Sequence, residues 1–306
     1  MEEIKRVLVA VDLTDMDETL VQYVARLSNE IALDKVYFLN VTKSLQLPKE
    51  IITKYPDLVA PMDEVTKKEI QFTINKVAGN QLKADYEIKV TDGHRAEKIL
   101  KWIKIKEVDL VVMGRKKGLS GDGIVTSKIV RLAPCSIVLV PQELPKEVKK
   151  LVIPIDYSYA SQLAFEFALY FVKNIPGLEL TCLNIYEVPS GYHYSGKTYE
   201  EFAQIMKKNA EESFNQFTAK FDLRDITIKA KFELNKEDSI AEKIFKFSIE
   251  EKASVIVIGS KGRTQAASLL LGSISEKLIK LNDKMPLFVV KERWHNLDFL
   301  EALFEV

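Results

Sequence analysis

The chain has 306 residues, of which 47% are hydrophobic and 29% charged, with 12 glycines and 10 prolines. This length predicts two domains, since single domains usually hold about 100 to 200 residues, and the composition excludes a disordered or fibrous chain. Lys and Arg together count 44, as do Asp and Glu, so no net charge favours nucleic acid or an anionic membrane as a partner.

The predicted elements follow one order twice along the chain. In chain order, the matching strand runs are 6–12 with 150–156, 36–41 with 180–185, 86–90 with 226–232, 108–114 with 253–259, and 136–140 with 286–290. Helical patterns separate these runs, the first pair ends in an aspartate, and the second pair shares a Leu-Asn dipeptide. Such an ordered internal repeat indicates two copies of one structural unit.

The strand runs are apolar throughout rather than alternating, which is typical of a parallel sheet covered by helices on both faces. The sequence therefore predicts an α/β protein of two tandem Rossmann-like doubly wound domains, each a five-stranded parallel sheet flanked by helices. The two domains are expected to be related as a pseudo-dimer.

The domain boundaries follow from the repeat. Prolines and charges at 141–150 predict an exposed linker. We expect a first domain over 1–143 and a second over 148–293. A C-terminal helical tail is expected over 294–306, where leucines and a phenylalanine recur at helical spacing.

A glycine-rich loop follows the fourth strand of the second half. Gly259 and Gly262 are separated by two residues, and after nine more residues Gly272 and Ser273 begin another helical pattern. Glycines let a backbone approach a phosphate closely, and a helix start favours negative charge. We interpret the loop as a phosphate cradle, although a GxxG pair by itself is an ordinary loop feature.

The full spacing, G-2x-G-9x-G-[ST] behind an apolar strand, resembles the ATP-binding signature of the universal stress protein family. The repeated β/α order also looks like that family. The resemblance implies that Asp156 holds the adenine, that Ile185 makes a main-chain contact and that Ile258 lies near the ribose. The phosphate-binding positions that it implies are Gly259, Gly262, Gly272, Ser273 and Ile274.

Asp156 has a second interpretation that needs no ligand. An aspartate between a strand and a helix often caps the helix or its approach, and Ser158 is a further candidate for that cap. From the residues alone both roles stay open, and only the glycine loop favours the ligand role.

The first half departs from the signature. Its matching stretch separates Gly114 and Gly118 by three residues and shortens the spacer before Gly123. Ile124 replaces the hydroxyl residue, and Asp122 brings a negative charge towards the phosphate position. We therefore expect a degenerate nucleotide loop in the first domain and an intact one in the second.

The resemblance implies a protein of stress response or signalling that binds ATP, or AMP or ADP, with or without Mg²⁺. It would act through nucleotide-dependent conformation or partner binding. Little or no turnover is expected, because the second loop offers no carboxylate for metal or water. The alternatives are a slow adenine nucleotide hydrolase or ligase, and a structural pseudo-dimer that binds no nucleotide. Members of the family dimerise through the fifth strand, so the tandem chain would satisfy that contact internally, alone or within a further homodimer.

Other features restrict the class of protein. Cys135 and Cys182 lie in apolar runs without a CxxC neighbour, and the three histidines lack metal-ligand spacing, so disulfide and metal sites are disfavoured. The first residues contain no apolar stretch long enough for a signal peptide or a membrane span. We expect a cytoplasmic protein, in which 192–194 forms either a lid over a ligand or an ordinary surface loop.

Overall fold

The computed structural model describes residues 3–42, 49–54, 62–115, 122–236, 239–261 and 271–292. The chain divides into two compact units, with the boundary between Leu144 and Pro145. The predicted C-terminal tail over 294–306 lies outside the described residues.

The N-terminal unit is an α/β domain with a parallel sheet. Its described strands and α-helices, in chain order, are β1 (Arg6–Val11), α1 (Met16–Glu30), β2 (Lys35–Thr42), α2 (Lys49–Lys54), α3 (Met62–Val77), β3 (Asp85–Asp92), α4 (Arg95–Ile105), β4 (Leu110–Arg115), α5 (Asp122–Leu132) and β5 (Ser136–Pro141). Its strands lie in the order β3-β2-β1-β4-β5 and pair in parallel. The chain changes direction between β1 and β4, and such a switch point is where open α/β sheets bind ligands.

The C-terminal unit repeats this arrangement. Its described strands and α-helices, in chain order, are β6 (Lys150–Pro154), α6 (Tyr159–Asn174), β7 (Glu179–Tyr186), α7 (Tyr199–Thr218), β8 (Ile228–Leu234), α8 (Ile240–Glu250), β9 (Val255–Gly259), α9 (Ser273–Leu281) and β10 (Leu287–Val290). Its strands lie in the order β10-β9-β6-β7-β8, all in parallel. The matching switch point lies between β6 and β9.

The strands beside each switch point form the core because their central residues are apolar. β9 is buried along its whole length, and Val7, Leu8 and Val9 of β1 are fully buried. Burying each such aliphatic side chain stabilises the fold by about 1.5–3 kcal/mol. The apolar strand runs therefore fix the position of the switch points.

A repeated polar contact sets the register of the first and fourth strands in each unit. In the N-terminal unit, the backbone amides of Lys5 and Arg6 donate to Asp109 Oδ2 at 2.7 Å. In the C-terminal unit, the amide of Lys149 donates to Ser254 Oγ at 3.0 Å. A side chain just before the fourth strand thus holds the start of the first strand, which aligns the opposite ends where a ligand would bind.

Candidate functional site

The carboxyl end of β6 is held by a buried asparagine. Asn184 on β7 donates from Nδ2 to the carbonyl oxygen of Ile155 at 2.8 Å, and Asn40 makes the same contact to Val11 at 3.0 Å in the N-terminal unit. These contacts explain the Leu-Asn dipeptide shared by the two halves. They fix the backbone just before the aspartate that closes the first strand.

Asp156 lies at the centre of a hydrogen-bond network that begins helix α6. Its Oδ1 accepts hydrogen bonds from the hydroxyls of Ser158 at 2.6 Å and Ser161 at 2.5 Å. Ser158 is the N-cap of α6 and accepts from the amide of Ser161 at 3.2 Å. The cap itself is therefore Ser158, and Asp156 orients the capping serine. The adenine role of Asp156 stays a prediction.

The predicted contacts on neighbouring strands occupy the same carboxyl edge. Ile185 stands one residue before the end of β7 and is half-buried. Ile258 is buried on β9, directly before Gly259. Both residues lie next to the last residue of their strands, close to where the chain leaves the sheet. A nucleotide bound at this edge of the sheet would contact their backbone.

Gly259 has a structural role that the phosphate interpretation did not include. A Cβ atom at this residue would lie 2.5 Å from the carbonyl oxygen of Ala160, in the first turn of α6. Real Cβ atoms do not approach backbone so closely, so only glycine allows α6 to begin against β9. At the matching Gly114 a Cβ atom would overlap the Met16 side chain instead.

We predict that Gly259→Ala destabilises the C-terminal unit by about 1–3 kcal/mol, the usual cost of overpacking. Gly114→Ala should cost the N-terminal unit less, because the Met16 side chain can rotate aside whereas the backbone of Ala160 cannot. Urea unfolding followed by hydrogen exchange in each unit would measure the two costs. Equal costs, or a larger cost for Gly114→Ala, would contradict the structural role of Gly259.

The start of α9 is tied back to the end of β9. The Ser275 hydroxyl donates to the carbonyl oxygen of Gly259 at 2.8 Å, and the amide of Gly272 donates to that of Ser260 at 2.8 Å. Gly272 is the N-cap of α9, and Ser273 is exposed. The first amides of a helix have no intrahelical partners, so those of Ser273 and the residue after it, the predicted ligand Ile274, are suited to an anion.

The structure thus brings most of the predicted ligand residues to one switch point. Asp156 contacts Ser161 and Gly259 contacts Ala160, both in the first turn of α6, while Ser275 joins Gly259 to α9. Gly262 lies outside the described residues. Sequence reasoning missed Ser161, Ser275 and Asn184, whose roles depend on partners brought together by the fold.

The matching place in the N-terminal unit is a small cavity of about 80 Å³. Its lining residues are Ala10, Val11, Asp12, Met16, Leu20, Leu39, Val41, Arg95, Ile99, Met113, Gly114, Val125 and Thr126. Within the described residues, this cavity is smaller than the volumes of about 300–1,000 Å³ that are usual for small-molecule pockets. Two larger side chains narrow it, because Met16 and Leu20 stand where the C-terminal unit has Ala160 and Ala164.

The described residues at the carboxyl edge of the sheet include both polar and titratable groups. Within the described ranges, no three His, Cys, Asp or Glu side chains are grouped to hold a metal ion. Burial, with the nearby carboxylates of Glu233 and Glu211, raises the pKa of Tyr186 at the end of β7, so this phenol stays a neutral donor.

Among the helices that the structure describes, none is long and apolar enough to cross a membrane.

The amino-acid sequence matches the universal stress protein family over residues 3–141 and again over residues 147–291. The chain belongs to this family. Two universal stress proteins of Methanocaldococcus jannaschii are each 30% identical to it, in alignments that cover 47% of this chain and 96% or 82% of the relative. The predicted family is confirmed.

A solved structure of a universal stress protein from Archaeoglobus fulgidus resembles almost the whole chain. The two share 17% identity with a TM-score of 0.61, over 95% of this chain and 100% of the other. At this identity the likeness concerns the fold alone. It confirms the predicted α/β class of this tandem universal stress protein, with a mostly parallel sheet flanked by helices.

Proposed function

We propose that this tandem universal stress protein binds one ATP in its C-terminal unit and acts in stress response or signalling through nucleotide-dependent conformation or partner binding. The observation that carries the proposal is the convergence of the adenine and phosphate positions on the first turn of α6. Asp156 reaches that turn through Ser161, and Gly259 reaches it through Ala160.

The phosphate side of the proposed site depends on backbone donors. Gly272, Ser273 and Ile274 open α9, and its first turn is fastened to β9 by Ser275. Because the first turn of α9 is already held in place, its free amides and the positive end of its dipole can face an anion without further ordering of the helix. The Ser273 hydroxyl is exposed beside them and adds one more donor for a phosphate oxygen.

The N-terminal unit supports the proposed asymmetry. Its described cavity is small, and the side chain of Ile124, which replaces the hydroxyl residue, is 74% exposed and offers no hydrogen bond. An apolar side chain beside a phosphate supplies none of the donors that a charged group needs when it leaves water. One nucleotide per chain follows.

Binding without fast chemistry is the expected mode of action. The loop 259–273 contains no Asp or Glu, and Glu276, one turn into α9, pairs with Lys280 at 3.2 Å. Phosphoryl transfer needs groups that hold a metal or orient water at the terminal phosphate. The Mg²⁺ ion, the cytoplasmic location and the pseudo-dimer stay predictions.

We predict that nucleotide-free protein binds ATP while phosphate release stays near background, far below the rates of about 1–1,000 per second usual for enzymes. Calorimetry and a phosphate-release assay on the same sample would measure both. Sustained hydrolysis that Ser273→Ala abolishes would favour the hydrolase alternative. No binding, with no nucleotide in the denatured protein, would favour the structural alternative.

A further inference from the structure

The residue after the closing aspartate has an unusual backbone conformation in both units. Tyr157 has a φ of 66°, and Leu13, at the same place after β1, has a φ of 60°. Left-handed conformations are uncommon for residues other than glycine and persist only where the surroundings hold them. Each unit therefore presents its aspartate from a strained turn.

In the C-terminal unit this turn is anchored to another helix. The Tyr157 hydroxyl donates to the carbonyl oxygen of Ala210 in α7 at 2.6 Å. The Tyr157 ring also packs against Phe217 of α7, with ring centroids 5.9 Å apart. In the N-terminal unit the side chain of Leu13 is 43% exposed. The anchor thus accompanies the unit that carries the intact nucleotide loop.

The anchored turn bears directly on the position of Asp156. The Asp156 amide donates to Ser161 Oγ at 3.0 Å, and its carboxylate accepts from Ser158 and Ser161. These contacts hold Asp156 from the α6 side, whereas Tyr157 holds the next peptide from the α7 side. A shift of α7 would therefore move the aspartate relative to the strand edge.

We propose that Tyr157 is a positioning residue of the adenine site, through which adenine binding at Asp156 and the stability of α7 depend on each other. The proposal rests on the proposed function, since it needs a nucleotide at Asp156. The dependence is reciprocal by thermodynamic necessity: if α7 holds the aspartate for adenine, bound adenine stabilises α7.

Helix α7 carries this coupling towards the surface. Its start is fixed by a capping box between Thr198 and Glu201. The short 3-10 helix Tyr192–Ser195 packs on that start, with the Tyr192 ring 5.5 Å from that of Tyr199. Tyr194 in this segment is 89% exposed. The loop predicted as either a lid or a surface loop is therefore attached to α7, where a change in α7 would reach it.

The test is Tyr157→Phe, which keeps the ring and removes only the hydroxyl. We expect the Kd for ATP to rise roughly three- to tenfold, as for the loss of one neutral hydrogen bond. The Kd for GTP should stay unchanged, because guanine has a carbonyl oxygen where adenine has its 6-amino group, so it cannot donate the hydrogen bond that the Asp156 carboxylate is proposed to accept. Asp156→Ala should abolish the preference for ATP over GTP, and Leu13→Ala should leave it intact.

Hydrogen exchange supplies the second readout. ATP should slow amide exchange over 199–218 in the wild-type protein, and this protection should be lost in Tyr157→Phe. If the variant weakens ATP and GTP equally, or keeps both the preference and the protection, Tyr157 is not a positioning residue. If the wild-type protein binds no ATP at all, the proposed function itself has failed, which is a separate outcome.

Discussion

Calorimetric titration with ATP is expected to give one site per chain, and Gly272→Val is expected to remove it. Gly272 has φ −63° and ψ 144°, a conformation that valine also adopts. The substitution therefore adds a branched side chain at the expected phosphate position without straining the backbone. The weaker N-cap of α9 costs about 1 kcal/mol.

The loss of binding should be large because phosphate contacts are charge-assisted. Each such hydrogen bond contributes about 1.5–3 kcal/mol, and about 1.4 kcal/mol corresponds to a factor of ten in affinity. Losing the contacts of two amides at the start of α9 should weaken ATP binding by at least about 100-fold. Thermal unfolding of the variant would check that the C-terminal unit still folds.

The matched control is Gly123→Val in the N-terminal unit. A Cβ atom at Gly123 meets nothing within 4 Å, so the variant should fold and keep the single ATP site. Two equivalent sites in the wild-type protein would contradict the asymmetry. A site that survives Gly272→Val and disappears with Gly123→Val would place the nucleotide in the other unit.

The sequence could predict the fold because the relevant signals are local and repeated. The apolar runs that become β1 and β6 bury the same kind of side chain in both units, and a parallel sheet needs little more than such runs separated by helices. The elements at the switch points are correspondingly those that the repeat identified.

The candidate site was harder to predict from the sequence because its contacts join distant parts of the chain. Gly259 was interpreted as a phosphate contact, but its close approach to Ala160 appears only when α6 lies on β9. The sequence left two roles possible for Asp156, and in the structure the N-cap of α6 is Ser158. The Ser275 contact to Gly259 needs the loop between β9 and α9 to return to the sheet. None of these contacts has a periodic signal.

One difference between the units was present in the sequence but had no meaning without the fold. Met16 aligns with Ala160 when the closing aspartates of the two halves are matched. In the structure Met16 covers Gly114 and lines the small cavity. A Cβ atom at Gly259 would lie 2.9 Å from the Ala160 Cβ, so the side chain at 160 points at the corresponding glycine.

Ala160→Met is therefore expected to close the C-terminal site as Met16 closes the N-terminal one. The longer side chain would extend over Gly259 into the expected nucleotide position, and ATP could enter only by displacing it. If displacing the methionine side chain costs as much as overpacking a core, about 1–3 kcal/mol, the affinity for ATP falls roughly 5- to 150-fold. Calorimetry against the wild-type protein would measure this loss, and urea unfolding would check the fold.

Two further variants separate occlusion from a general disturbance of α6. Ala160→Ser adds one small atom and should bind ATP as the wild-type protein does. Met16→Ala opens the N-terminal cavity but should not create a second site, because that unit still has Ile124 where a phosphate needs a hydroxyl. Wild-type affinity in Ala160→Met would show that the side chain facing this glycine does not select the working unit. The degenerate loop alone would then have to account for the asymmetry.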